Sequence, residues 1–289
     1  MSEPGKHSEL KPEPGLPPGL YVSSFDRTKI WVHTWECGSE DILLCIHGLA
    51  GHGLYYDRIA AEFNQLKVSV YAIDLRGHGR SQGKRGDIPH FGYHIKDIHR
   101  VVSEITRRFP NKKVHVLGES MGSTIAILYA AANKEKVRSL ILLSPVLKPI
   151  LHHEWGQFLQ FIFAMIFMPF ARVILLAGRE NLATRDPEFF RILREDPLYI
   201  THASVRYMLA LRYSMWRAFN KADLIRIPTL ILHGTRDLIT DHRASYDFFY
   251  RLSSQDKRID VFSRVYHSML FDPKAPLVVR KMVEWVKAR

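Results

Sequence analysis

A short turn between a strand and a helix constrains the fold of this chain more than any other feature. Residues 118–122 read Gly-Glu-Ser-Met-Gly. The apolar run 114–117 just before them predicts a buried strand, and the apolar stretch that follows, up to residue 132, predicts a helix. Such a sharp turn strains the backbone of its central residue, and the flanking glycines avoid side-chain clashes there. The pattern predicts Ser120 as a nucleophile presented between a strand and a helix.

The rest of the chain repeats this alternation of strands and helices. A half-exposed strand is predicted at 28–36, where apolar and polar residues alternate. Short apolar runs bounded by turn residues are typical of parallel strands covered on both faces, and they occur at 42–46, 68–73, 140–143 and 229–232. Helical stretches lie between them, including 56–66 and 93–109. This order predicts an α/β protein with a mostly parallel, doubly wound sheet.

The chain of 289 residues fits one domain that carries an insertion. The predicted core comprises 21–145 and 223–289. Between them, 146–222 is rich in aromatic residues and arginine, and we expect it to form a helical cap on the sheet. Residues 1–20 are rich in Pro, Gly, Lys and Glu and lack an apolar core, so we expect a flexible arm and no secretory signal. The two cysteines form no disulfide framework, which favours a cytoplasmic location.

A serine hydroxyl becomes a good nucleophile only when a base removes its proton. In folds built around such a turn, the acid and the histidine follow the serine in that order. Asp237 lies in the loop after the strand predicted at 229–232, and His267 lies after the next strand. Asp241 is the nearest competitor, but it is better placed as the N-cap of the following helix. We therefore predict Ser120 as nucleophile, His267 as general base and Asp237 as the acid that orients the base.

An ester or amide substrate would also need donors for the negative charge formed during attack. The run 42–46 ends in His47-Gly48-Leu49. The backbone N–H groups of Leu49 and Met121 are the predicted oxyanion-hole donors. The segment 74–81 follows another strand, and its glycines predict a tight structural turn without a catalytic role.

The insertion contains an apolar stretch, 158–176, of almost the length of a membrane span. Pro169 and Arg172 interrupt it, and a crossing here would separate Ser120 from its two predicted partners. We expect it to line an apolar pocket, to rest on a membrane as an amphipathic element, or simply to pack against the core. In the first case three phenylalanines would contact the substrate: Phe163, Phe167 and Phe170.

The formal net charge of +12 admits three interpretations. A solvated basic surface is favoured first, and attraction to an anionic membrane second. The basic residues are spread along the chain, without a zinc-finger cysteine pattern or an aromatic RNA-binding signature. We therefore expect no nucleic-acid partner.

The motifs together resemble the monoacylglycerol lipase and lysophospholipase branch of the α/β-hydrolases, also grouped with serine aminopeptidase-like hydrolases. The resemblance is carried by several segments: 47–49, 74–83, 118–122, Asp196-Pro197-Leu198, 233–237 and Tyr266-His267. It implies an α/β-hydrolase fold, the same three catalytic residues and a helical cap that holds an acyl chain. It also implies hydrolysis of carboxylic esters of single-chain lipids without a cofactor or a metal.

Three positions depart from the animal-type lipases. Gly51 and Tyr55 replace a Glu and an Arg that organise the polar end of the site, and Ser123 replaces a further glycine. The headgroup therefore stays open between glycerol, a lysophospholipid and a simple acyl ester. Two other hypotheses are a peptidase or carbon–carbon bond hydrolase on the same fold, and a non-catalytic protein that binds a ligand. No oligomeric state is predicted.

Overall fold

The computed structural model describes residues 18–39, 41–110, 112, 114–148, 163, 167–175 and 182–289. Within these ranges the strands are β1 (Gly19–Ser23), β2 (Lys29–Trp35), β3 (Asp41–Ile46), β4 (Val68–Ile73), β5 (Val114–Glu119), β6 (Val137–Leu143), β7 (Arg172–Ile174), β8 (His202–Ser204), β9 (Thr229–Gly234) and β10 (Lys257–Phe262). The α-helices are α1 (Asp57–Gln65), α2 (Gly92–Arg108), α3 (Met121–Ala132), α4 (Pro187–Glu195), α5 (Val205–Phe219), α6 (His242–Arg251) and α7 (Ala275–Lys287).

Eight of these strands form one sheet in the order β1-β2-β4-β3-β5-β6-β9-β10. The pairs β1–β2 and β2–β4 are antiparallel, and all the others are parallel. Every residue of β4 and β9 is buried, as strands covered on both faces require. The carboxyl ends of β3, β5, β9 and β10 lie on the same edge of the sheet. Loops that follow these four strands can therefore meet there.

Helices cover both faces of the sheet and form two apolar cores. The first core packs residues of α2, α3, α5 and α6 against one face. The second packs α1, α4 and α7 against the other. Helix α3 is buried along most of its length, because it contacts β5 and β6 on one side and α5 of the insertion on another. This burial explains why its sequence is apolar all round.

The predicted fold class, a mostly parallel doubly wound sheet of the α/β-hydrolase type, is confirmed. The main-sheet strands predicted from apolar runs are all present, with ends shifted by up to three residues. One strand of the main sheet was missed: β1 begins at Gly19, inside the predicted arm. Apart from residues 18–20, that arm lies outside the described residues.

The insertion departs from the expectation that it is helical. Its described part contains α4 and α5, but also the antiparallel pair β7–β8. The apolar stretch 158–176 lies largely outside the described residues. Among the helices that are described, none combines the length and the apolar character needed to cross a bilayer.

Candidate active site

Ser120 lies between the end of β5 and the start of α3, and its backbone is strained. Its φ of 53° and ψ of −119° fall where residues with a side chain are rare. Close packing around the turn explains the glycine at 122, because a Cβ there would lie 2.1 Å from the Ile46 carbonyl oxygen. The Ser120 amide donates to the Leu143 carbonyl at 2.9 Å, which fixes the turn against β6.

The structure brings Ser120, His267 and Asp237 together in series. His267 Nε2 lies 2.8 Å from Ser120 Oγ, and His267 Nδ1 lies 2.7 Å from Asp237 Oδ2. An ionised carboxylate can only accept, so Nδ1 carries the proton and Nε2 presents its lone pair to the serine hydroxyl. His267 and Asp237 are 7% and 3% exposed. The arrangement can move a proton from the hydroxyl to the imidazole.

Asp237 is held by an unusually complete set of donors. Its Oδ1 accepts from the amides of Ile239 and Thr240, each at 2.9 Å. Besides His267, Oδ2 accepts from Thr240 Oγ1 at 2.8 Å and His233 Nε2 at 2.9 Å. Burial alone would raise the pKa of Asp237, but the interaction with His267 and the hydrogen bonds of both histidines outweigh it and hold that pKa far below its usual range. Asp241, in contrast, caps α6 by accepting from the Arg243 amide.

The charge of Asp237 also affects the protonation of His267. Burial of the ring would lower its pKa, but the attraction of Asp237 is stronger in sum and raises the pKa above its ordinary value. Glu119, next to the nucleophile, acts in the same direction. The Tyr56 hydroxyl lies 3.1 Å from the Ile46 carbonyl oxygen and 3.3 Å from Glu119 Oε2, and burial raises the pKa of the Glu119 carboxyl.

The peptide that carries the Leu49 amide is fixed by a neighbouring imidazole. His47 Nε2 accepts from the Leu75 amide at 3.0 Å, so Nδ1 carries the proton and donates to the Gly48 carbonyl at 2.7 Å. Because C=O and N–H point in opposite directions in a trans peptide, this bond also fixes the direction of the Leu49 N–H. Burial lowers the pKa of His47 to about 3, so the neutral tautomer persists near neutral pH.

The two predicted oxyanion donors lie beside the nucleophile. A Cβ at Gly48 would lie 3.2 Å from Ser120 Cβ, so the 48–49 peptide passes directly next to the serine. Met121 follows Ser120 in the chain and opens α3, where helix N–H groups are not used by the helix itself. Ser123, which replaces a glycine of the animal-type motif, donates to the Gly118 carbonyl at 2.6 Å and is accommodated inside the turn.

The turn 74–81, expected to be purely structural, supports the loop that follows β3. Asp74 is buried and accepts from the amides of Gly53 and Arg80, each at 2.7 Å. His78 Nε2 lies 2.6 Å from the Leu49 carbonyl. No sequence signal marked His47, Asp74 or His78 as positioning residues, because their partners Leu75, Gly53 and Leu49, respectively, lie some 20 to 30 residues away in the chain.

Polar contacts between the insertion and the core include those of Asp196 and Asp87. Asp196 accepts from His52 Nε2 at 2.7 Å and from the Tyr55 hydroxyl at 2.6 Å. Asp87 pairs with Arg206 through both of its oxygens. Tyr55, where the animal-type lipases have an arginine, therefore connects the loop after β3 to the insertion.

The three phenylalanines assigned to an acyl pocket lie on the surface. The exposed fractions of Phe163, Phe167 and Phe170 are 60%, 66% and 58%. The Phe163 and Phe167 rings contact each other, and Lys84 and Arg206 lie over the Phe170 ring. This arrangement does not fit an enclosed pocket, and their substrate contact stays a prediction.

Among the described residues, no group of three or more His, Cys, Asp or Glu side chains is arranged to hold a metal ion. Proton transfer from Ser120 to His267 requires only the three side chains in series, including Asp237.

The sheet order and the sequence Ser–Asp–His at its edge define an α/β-hydrolase of the serine type. Comparison of sequences identifies the family. The chain belongs to the family described as serine aminopeptidase, S33, whose sequence profile matches residues 39–274. This membership confirms the predicted branch of α/β-hydrolases and the prediction of a serine hydrolase.

Two named relatives are similar over most of their length. A monoacylglycerol lipase of Mycolicibacterium smegmatis is 26% identical over 261 residues, which cover 88% of this chain and 91% of the relative. A monoglyceride lipase of Rattus norvegicus is 27% identical over 272 residues, covering 92% and 88%.

Solved structures agree with this placement. The monoacylglycerol lipase of Paleococcus ferrophilus superposes with a TM-score of 0.81 at 26% identity, covering 90% of this chain and 98% of that one. A soluble variant of the Saccharomyces cerevisiae monoglyceride lipase shares the fold with a TM-score of 0.82 at 20% identity, covering 99% and 97%.

Proposed function

We propose that the protein hydrolyses carboxylic esters of single-chain lipids, with Ser120 as nucleophile, His267 as general base and Asp237 as its orienting acid. The observation that carries the proposal is the unbroken series of hydrogen bonds from Asp237 through His267 to Ser120. It occurs in a member of a hydrolase family whose similar relatives include enzymes named monoacylglycerol lipase.

The reaction proceeds by acyl transfer to water. Ser120 Oγ attacks the ester carbonyl while its proton passes to His267 Nε2. The amides of Leu49 and Met121 bind the oxygen that becomes negative. His267 then gives the proton to the departing alcohol, which leaves an acyl group on Ser120. A water molecule deprotonated by His267 releases the acid by the same steps.

Position 55 leaves the headgroup of the substrate open. The animal-type lipases have an arginine there, whereas Tyr55 donates its hydroxyl proton to Asp196, which also accepts from His52 Nε2. A glycerol, a phosphodiester and a small alcohol thus remain competing headgroups. An activity screen across monoacylglycerols, lysophospholipids and p-nitrophenyl acyl esters ranks them by kcat/KM.

The decisive control in that screen is Ser120→Ala. Removal of the nucleophile should lower kcat by about 10⁶-fold. Ester hydrolysis near the wild-type rate in this variant would reject the proposal. Failure of the wild-type protein to react with a fluorophosphonate would instead favour a non-catalytic ligand-binding protein.

A peptidase is the second candidate, because the description of the family names a serine aminopeptidase. The same three side chains would serve it, so the amide and ester activities must be compared directly. A kcat/KM for aminoacyl p-nitroanilides that exceeds that for acyl esters would favour the peptidase.

A peripheral membrane contact through the insertion is also proposed. It is supported by the exposure of Phe163 and Phe167 and by the cations around Phe170. Exposed aromatic rings beside Lys and Arg suit the interface of an anionic bilayer. Sedimentation with phosphatidylserine vesicles should fall in Phe163→Ser/Phe167→Ser and stay unchanged in Tyr250→Ser, whose ring is 75% exposed on α6. Equal binding of both variants would contradict the contact.

A further inference from the structure

A cluster of polar side chains is buried behind the two oxyanion-hole residues. It consists of His78, His94 and Tyr207, each with an exposed fraction of 0%. Tyr207 belongs to α5 of the insertion, His94 to α2, and His78 to the turn after β4. Three segments far apart in the chain thus meet at one place, which we call the Tyr207 cluster.

The Tyr207 hydroxyl contacts Met121, the residue that follows the nucleophile. Tyr207 Oη lies 2.9 Å from His94 Nε2 and 3.4 Å from Met121 Sδ. A hydroxyl has one proton, so it donates to only one of these two atoms. If His94 Nε2 carries a proton, the Tyr207 hydroxyl must donate to Met121 Sδ; if Nε2 is bare, the hydroxyl can donate to His94.

The burial of His94 favours one tautomer. Its Nδ1 is buried and has no hydrogen-bond partner among the described residues. An unpaired buried N–H is rarer in proteins than an under-used acceptor, so the proton is better placed on Nε2. Burial also lowers the pKa of His94 well below its ordinary value, which keeps the ring neutral. His94 Nε2–H then donates to Tyr207 Oη, and Tyr207 O–H donates to Met121 Sδ.

The other oxyanion residue is contacted by the third member of the cluster. His78 Nε2 lies 2.6 Å from the Leu49 carbonyl. The His78 ring packs edge-on against the Tyr207 ring, with centroids 6.1 Å apart. The cluster therefore contacts both residues whose amides are the proposed oxyanion donors.

Tyr207 itself is held firmly to the core. Its amide donates to Ser204 Oγ at 3.2 Å, which caps α5, and Ser204 Oγ donates to Asp87 Oδ1 at 2.6 Å. Arg206 also pairs with Asp87. The first turn of α5 is thus fixed where the tyrosine enters the core.

We propose that Tyr207 is a positioning residue that couples α5 of the insertion to the oxyanion hole. Its hydroxyl orients the Met121 side chain and with it the peptide that opens α3, so that the Met121 amide points at the developing oxyanion. Oxyanion donors act because they are already oriented before the reaction, and a small displacement lowers the rate steeply. The inference rests on the proposed function of this site. The hydrogen bond from the Met121 amide is stronger to the oxyanion of the transition state than to the carbonyl oxygen of the bound ester. Loss of the Tyr207 hydroxyl should therefore lower kcat and change KM little.

The test removes the hydroxyl alone. Tyr207→Phe should lower kcat by about tenfold and leave KM within about twofold. An alkylboronic acid, which forms a tetrahedral adduct with an active serine, should bind about tenfold more weakly for the same reason. The matched control is Tyr71→Phe on β4, which loses a hydroxyl bonded to Glu36 at 2.5 Å from a ring that is also buried. It should change neither kcat nor the boronic acid affinity.

A second variant keeps the test decisive if Tyr207→Phe does not fold. Met121→Leu removes the sulfur acceptor at nearly constant volume and keeps the amide, so it should lower kcat by a similar factor. The double variant should be no slower than either single one, because both break the same contact.

Three results would overturn the inference: a wild-type kcat in Tyr207→Phe, a rise in KM at unchanged kcat, or an equal loss in Tyr71→Phe. Failure of the proposed function has a different signature. It appears as ester hydrolysis that survives in Ser120→Ala, whatever the result for Tyr207→Phe.

Discussion

The edge of the sheet and the insertion are held in place in different ways. At the sheet edge, each candidate catalytic group is fixed by buried bonds from the core itself, as five donors on Asp237 and the imidazole on the Gly48 carbonyl illustrate. The described insertion is joined to the core by apolar packing of α4 and α5 and by separate polar contacts, which include Asp196 with His52 and Asp87 with Arg206.

We expect this difference to separate the chemical steps from substrate capture. Changes at the sheet edge should act on kcat, because they disturb groups oriented for the transition state. Changes in the insertion contacts should act mainly on KM, because they alter the surface that meets the substrate. Tyr207 is the proposed exception, since it belongs to the insertion but contacts Met121 at the sheet edge.

The largest expected effect is at the sheet edge. Asp237→Asn should lower kcat by about 10⁴-fold, because an amide favours the wrong tautomer of His267 and stabilises its charged form less. Steady-state kinetics on a p-nitrophenyl ester measure it. Asp241→Asn, which changes only the cap of α6, is the control and should keep its activity. A loss of less than tenfold in Asp237→Asn would remove Asp237 from the mechanism.

The strained turn gives the next effect. In Gly122→Ala the new Cβ would lie 2.1 Å from the Ile46 carbonyl oxygen, so the turn or β3 must shift. The free energy of unfolding should fall by about 1–3 kcal/mol, and kcat should fall with it. Gly51→Ala is the matched control, since its Cβ would meet only the Tyr55 side chain, at 3.2 Å, and no backbone atom. Chemical denaturation compares the two; equal stability would contradict the close packing of the turn.

The core strands and the order of the candidate residues could be predicted because local patterns determine them. Runs such as 68–73 are apolar throughout and bounded by turn residues, and the turn around Ser120 has its own signature. β1 was missed because it is a short edge strand next to a proline-rich segment. The β7–β8 pair was missed because three-residue strands carry no periodicity and pair across 28 residues or more.

The positioning residues could not be predicted for a related reason. The pairing of His47 with the Leu75 amide or of Tyr207 with Met121 depends on the assembled fold, not on spacing in the chain. The glycines of the 74–81 turn suggested structure, but nothing in the sequence indicated that His78 contacts Leu49.

The insertion should respond more weakly than the sheet edge. Asp87→Asn loses the charge that pairs with Arg206, so the first turn of α5 should exchange its amide hydrogens faster. KM should rise about fivefold for a loss of about 1 kcal/mol in this coupling, and kcat should change less because His94 still holds the Tyr207 hydroxyl. Glu188→Gln breaks an exposed pair with Arg191 on α4 and should change neither. A kcat loss larger than the KM change in Asp87→Asn would contradict the expectation that insertion contacts act mainly on KM.

The smallest effect is a shift in pH dependence. His267 must be neutral to accept a proton, and its pKa is raised because Asp237 stabilises the charged ring. kcat/KM should therefore rise with pH through an apparent pKa above 6.5 and then level off. In Asp237→Asn the burial of the ring prevails, so the residual activity should titrate at lower pH. An unchanged pH profile in this variant would contradict the coupling of the two residues.

Fluorophosphonate labelling followed by peptide mapping tests the central claim most directly. The reagent reacts with a serine hydroxyl only when a base activates it. We expect the wild-type protein to carry the label on Ser120, Ser120→Ala to carry none, and His267→Ala to react slower by orders of magnitude. A label on another residue, or undiminished labelling without the imidazole of His267, would contradict the account.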